Sequence, residues 1–132
     1  MMTKAESILT TVTGGQTLID WFGFAPSFHD STIQDIQLSL PGQGVLRIAA
    51  FRMTNVVDEN GYYVLDKHAL VTITLDNVTL VDLKDFDICA IIDDLEITKV
   101  GEELQFSWDC SYGVYGTIRA KDARIEISPG KP

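Results

Sequence analysis

The sequence predicts an α+β protein that is mainly β, an antiparallel meander sheet, curved or sandwich-like, with one or two short N-terminal helices. Three observations carry this. Before Pro26 the apolar residues recur at helical spacing, and after it they alternate singly with polar ones. Turn signals at Pro41-Gly42-Gln43-Gly44, Asn60-Gly61 and Gly101-Glu102 separate the alternating runs by only a few residues, which makes sequential strands antiparallel. The chain has 132 residues, enough for one domain, 1–132, whereas two would each be too small to bury a good core.

The first helix is announced by Thr3 and Glu6 at capping-box spacing, with Ile8, Leu9 and Val12 as its apolar stripe. Thr10, Thr11, Val12 and Thr13 are poor helix formers, because β-branched side chains lose χ1 freedom there, and Gly14-Gly15 ends the element. A second helix is expected from Gln16 to Phe22, stopped by Gly23, with Leu18, Ile19, Trp21 and Phe22 pinning it to the sheet.

Beyond Pro26 about seven strands are expected. Ile36, Leu38 and Leu40 alternate in the first. Leu46, Ile48 and Ala50 alternate in the second, which runs on towards Met53. Ala69, Val71, Ile73 and Leu75 share one face of the third, and a turn at Asp76-Asn77 separates it from Val78, Leu80 and Val81. After a polar connection over Lys84, Asp85, Phe86 and Asp87, Ile91, Leu95 and Ile97 mark a strand with Asp94, Glu96 and Thr98 turned to solvent. Leu104, Phe106, Trp108 and Cys110 line the next. Tyr112, Val114, Ile118, Ala123, Ile125 and Ile127 close the fold before a frayed tail at Pro129-Gly130-Lys131-Pro132. Trp108, Tyr112 and Tyr115 read as core aromatics, Tyr115 being the one expected to face water.

Composition narrows the function classes. Hydrophobic residues make up 45 %, which argues against disorder. The longest apolar run, Ile88-Cys89-Ala90-Ile91-Ile92, is far below the ~20 residues of a membrane span, and the first residues carry no apolar secretory stretch. A cytoplasmic protein without membrane partners is expected. Cys89 and Cys110 then read as free, buried structural thiols.

The net charge is −9, concentrated in one segment. From Asp76 to Asp109 ten acids face two bases, giving −8, while the rest is close to neutral. This sign disfavours nucleic acid, whose phosphates need cations. Such a segment is either a solvated face or a docking surface for a basic protein, and Asp93, Asp94, Glu96, Glu102 and Glu103 are its candidate partner-binding residues.

Catalytic signals are weak. The sequence has no phosphate loop, no nucleophile elbow, no calcium loop and no zinc spacing, so no catalytic residue, metal or cofactor is assigned and an enzyme is not expected. Ser27-Phe28-His29-Asp30-Ser31 is the most suggestive stretch. Its expected role is structural: Asp30 accepting backbone N–H groups at a turn and His29 bridging to a neighbouring strand.

The stretch from Leu18 to Leu40 resembles the opening of the immunity protein 50 family of bacterial immunity proteins. The likeness lies in Trp21-Phe22-Gly23, in Pro26-Ser27-Phe28-His29-Asp30 and in the alternating Ile36-Gln37-Leu38-Ser39-Leu40. It implies a toxin-neutralising protein that binds a cognate, basic toxin domain, a role an acidic surface suits by speeding and directing encounter. Two other classes stay open. One is a small enzyme or ligand-binding domain with a pocket near His29, Asp30 and His68; the other is a structural or oligomerisation module. The sequence leaves the oligomeric state undetermined.

Overall fold

The computed structural model describes residues 3–86 and 90–131. Two helices, α1 (Lys4–Leu9) and α2 (Gly15–Phe22), precede six strands: β1 (Thr32–Ser39), β2 (Gln43–Val57), β3 (Tyr63–Lys84), β4 (Ile91–Val100), β5 (Glu103–Tyr112) and β6 (Tyr115–Pro129). All strand pairings are antiparallel, and the sheet closes on itself as a barrel in the order β1-β2-β3-β6-β5-β4. The predicted class is therefore the observed one. Closure and the out-of-sequence β3–β6 neighbourhood add what alternation does not specify. Among the described residues no helix is long and apolar enough to cross a membrane.

Both helices end where their local chemistry ends them. The Thr3 hydroxyl accepts the Glu6 N–H at 3.1 Å and donates to the Glu6 carboxylate, so orphan donors of α1 are satisfied at its start. Gly23 caps α2 in the left-handed region, φ 85°, its N–H bonding the Ile19 carbonyl. Leu18 and Phe22 of α2 and Ile8 and Leu9 of α1 are buried against the barrel.

Inside, the period-two pattern sends one face of each strand to a common core. Leu46, Ile48 and Ala50 of β2 meet Val71, Ile73 and Leu75 of β3, Phe106 and Trp108 of β5, and Ile118, Ala120 and Ile125 of β6. Each such large apolar side chain contributes about 1.5–3 kcal/mol by leaving water. The Trp108 indole N–H is satisfied by the Val114 carbonyl at 2.9 Å.

Several sequence expectations are corrected. Among the described residues six strands form where about seven are expected: β3 runs unbroken through Asn77, φ 57°, and its register shift lies between Val78 and Leu80. In β1 a bulge between Ile33 and Asp35 adds Ile33 to the inward face that Ile36 keeps opposite Leu46, while Leu38 near the strand's end and Leu40 beyond it are exposed. In β4 irregularities between Ile91 and Asp94 make Ile92, not Ile91, the buried residue beside Leu95 and Ile97. Of the three aromatics, Tyr112 is exposed while Tyr115 packs against the core. At the C-terminus Pro129 pairs with Ala69, and the Gly130 N–H bonds the His68 carbonyl, so the chain is held further than its composition suggests. Cys110 is half-buried and free. Asp87, Ile88 and Cys89 lie outside the described residues.

Candidate protein-binding face

The barrel's weakest seam joins β1 to β4, where the ladder holds one residue pair, Thr32 with Ile91, and Ser27 to Ser31 complete the closure. Main-chain bonds run from the Asp30 N–H to the Ile92 carbonyl, from the Leu95 N–H to the Ser27 carbonyl and from the Ile92 N–H to the Ser31 carbonyl. Phe28 and Asp30 sit at φ 60° and 64°, a region side chains seldom occupy. Phe28 is buried edge-to-face on Phe22, with ring centroids 6.4 Å apart, so packing holds the turn in this conformation. Ser31 is fully buried, and its hydroxyl has no partner among the described residues.

His29 stands outside this plug. Its Nδ1–H donates to the Asp93 carbonyl at 2.6 Å, and its Nε2 lies 3.6 Å from the Asp30 carboxylate. The hydrogen bond to Asp93, then the nearby Asp30 charge, raise its pKa above the ordinary 6.5, with Asp93 and Asp94 adding to the effect. A small pocket of about 160 Å³ is lined by Ser27, Phe28, His29, Phe51 and Arg52 among others. His68 packs against Phe51 with ring centroids 5.9 Å apart and a tilt of 42°, but it does not line that pocket. No group of three or more His, Cys, Asp or Glu among the described residues has metal-holding geometry.

The five candidate partner-binding acids separate into three places. The Asp93 carboxylate is turned to His29, 3.7 Å from its Nδ1. Asp94 and Glu96 stand exposed along β4 as a ridge between two clefts. One cleft, about 250 Å³ and largely polar, is shared with Asp109, Ser107, Tyr115 and Thr117. The other, about 380 Å³, is mostly apolar: Ile8, Leu9, Pro26, Leu95 and Ile97 form its walls and Lys4 stands at its rim. It exists because no described strand pairs with the outer edge of β4 beyond Ile91, and α1 covers that edge incompletely. Glu102 and Glu103 lie at the β4–β5 turn, opposite Val100 and roughly 13 Å along the strand from Glu96.

Register gives the ridge its charge. Asp94 pairs directly with Asp109, like charge against like, where elsewhere Asp35 faces Arg47 and Arg52 faces Asp66. The latter pairs close at 2.9 Å and 2.7 Å, whereas Asp94, Glu96, Glu102, Glu103 and Asp109 form no ion pair among the described residues. Asp109 was not singled out by sequence, yet the Gly101 turn would have found it: pairing Val100 with Glu103 carries Asp94 to Asp109.

Comparison with protein-family models, with curated proteins and with solved structures gives no match to this chain. Any functional reading therefore rests on the residues themselves.

Proposed function

We propose that the protein is a toxin-neutralising immunity protein whose acidic β4–β5 wall binds a basic toxin domain. The observation that carries the reading is the Asp94–Glu96 ridge with Asp109 across from Asp94: three carboxylates that form no ion pair among the described residues, between a polar cleft and an apolar one whose lining includes Lys4. Like charges placed opposite each other cost stability, so a folded protein that keeps them has a use for the field they make. A lysine or arginine of a partner would sit between Asp94 and Asp109, and a neighbouring apolar side chain would fill the cleft beneath α1. The likeness of residues 18–40 to the immunity protein 50 family supplies the biological class.

The test begins with the product of the open reading frame beside this one. Its toxicity on expression should be relieved by co-expressing this protein. Association should slow as salt rises, because exposed charge acts on encounter. Replacing Asp94, Glu96, Glu102 and Glu103 by Lys should abolish protection while leaving the fold intact. A non-toxic or acidic neighbour, or equal protection by the charge-reversed variant, overturns the reading.

A further inference from the structure

The β2–β3 hairpin outgrows the barrel. β1 pairs with β2 only as far as Ala49, and β6 pairs with β3 only from Ala69 onward, so residues 53–57 and 63–66 form a ribbon beside which no other described strand pairs. Its base is fastened. Arg52 Nε and Nη2 bond both carboxylate oxygens of Asp66, the Trp21 indole N–H donates to the Lys67 carbonyl at 3.0 Å, and the Lys67 ammonium lies 4.7 Å above the Trp21 ring. Beyond that base the side chains are apolar and in water: Tyr62 is 71 % exposed, Val56 62 %, Tyr63 56 % and Val57 54 %, with Met53, Val64 and Leu65 also exposed.

A two-stranded ribbon standing alone in water is marginal, and two open edges invite further pairing. Register places Met53, Val57, Tyr63 and Leu65 on one face of the ribbon and Val64 on the other. With aromatics worth ~150–250 Å² each when buried, the exposed parts of the seven side chains offer roughly 700 Å² over both faces. Taken over both faces, that approaches the ~800 Å² each partner gives to a standard interface. Charge then selects the occupant. Residues 52–67 hold two bases, Arg52 and Lys67, against three acids, Asp58, Glu59 and Asp66, so the ribbon carries only −1 of a net −9. It offers a basic partner little, but it is a surface on which two copies of so acidic a chain can meet without strong repulsion. In the ring order β2 and β3 stand across the barrel from β5 and β4, so copies joined here keep their acidic walls apart.

We infer that the ribbon is a dimerisation surface, covered by the ribbon of a second copy of this chain in a two-fold arrangement centred on Val56, Val57, Tyr62 and Tyr63. This goes beyond the proposed function and uses the opposite wall. Light scattering and sedimentation of the full chain from about 1 to 500 µM should show the mass doubling with concentration. A Val56→Lys/Tyr62→Lys variant should stay monomeric throughout, whereas Leu40→Lys, at the other end of β2's pairing with β1, should dimerise as wild type does. The variant with Asp94, Glu96, Glu102 and Glu103 replaced by Lys should also dimerise, which separates this inference from toxin binding. Hydrogen exchange on the wild type gives a readout independent of any variant: amides of 53–57 and 63–66 should gain protection as concentration rises. A wild-type monomer at the highest concentration, a dimer that survives the double substitution, or exchange that ignores concentration overturns the inference.

Discussion

Asp94 on β4 lies directly across from Asp109 on β5, and no described lysine or arginine pairs with either carboxylate. Cross-strand pairs of like charge oppose folding, so neutralising one should stabilise the barrel. Asp109→Asn is expected to raise stability by about 0.2–1 kcal/mol, which for a chain of this size raises Tm by up to about 4 °C. The same substitution should slow capture of a basic partner. Thermal melts and association kinetics on one variant read both effects, and a lower Tm would mean that Asp109 is engaged in a favourable contact.

His29 gives a pH signature. Its pKa in the folded protein is raised, first by the hydrogen bond to the Asp93 carbonyl and next by Asp30, with Asp93 and Asp94 facing it as well. A folded-state pKa above the unfolded one means that the protonated ring favours the fold. That contribution is fully present below the ordinary value of 6.5 and fades as pH rises through the raised folded-state value. The Tm difference between wild type and His29→Gln should therefore be larger near pH 5.5 than near pH 9. A gap of constant size would show that the ring's charge has no part in the seam.

Asp30 separates a side-chain role from a backbone one. Its main-chain N–H bonds the Ile92 carbonyl, and its φ is 64°. Its carboxylate lies 3.6 Å from His29 at a half-exposed position, where an ion pair is worth little. Asp30→Ala should lose about 1 kcal/mol by holding an alanine in the left-handed region. Asp30→Gly, which meets no such penalty, should melt within a degree or two of wild type. Equal losses in denaturant titrations of the two variants would restore the carboxylate as the important group.

Burial also sets the chemistry of Cys110. It raises the thiol pKa above the ordinary 9.0, and the Sγ–H points to the Gly113 carbonyl at 2.9 Å. A thiol held protonated is a poor nucleophile. Peptide-level mass spectrometry should find Cys110 alkylated by iodoacetamide at neutral pH far more slowly in the folded chain than after denaturation. Similar rates in both states would mean that the sulfur is reached without opening the β5–β6 turn.

Much of this barrel was legible because local rules and global packing agree in its middle. Leu104, Phe106 and Trp108, or Ala69, Val71, Ile73 and Leu75, keep strict alternation and are buried as written. The failures cluster where one residue is added to a strand. A bulge flips the parity across it, so Ile33 joins the core three residues before Ile36, and Ile91 yields its place to Ile92. Asn77 carried a turn signal because it accepts a left-handed φ, but the same φ here lies inside an unbroken strand, just before the register shift between Val78 and Leu80. The acidic face was visible as composition. Its division among His29, the Asp94–Glu96 ridge and the distant Glu102–Glu103 turn depends on register and on the seam, which no local signal reports.

Gly14 shows a local signal with a second, non-local cause. The sequence marks Gly14-Gly15 as a helix stop, yet Gly14 also lies where the α1–α2 connection crosses β6: Thr13 bridges to Arg124, and the Ile125 N–H bonds the Thr13 carbonyl at 2.8 Å. A Cβ on Gly14 would sit 1.8 Å from the Ile125 carbonyl oxygen. Gly61, at the tip of the β2–β3 hairpin, has nearly the same backbone, φ 85° against 83°, but a Cβ there meets nothing within 4 Å. The pair isolates contact from conformation. Gly61→Ala should lose about 1 kcal/mol, the cost of the left-handed region alone. Gly14→Ala carries that cost and must also push the connection off β6, where Leu18 and Phe22 of α2 are buried, so a loss of about 3 kcal/mol or more is expected. Denaturant titrations of the two variants measure the difference, and equal losses would show that the connection moves away from β6 at little cost.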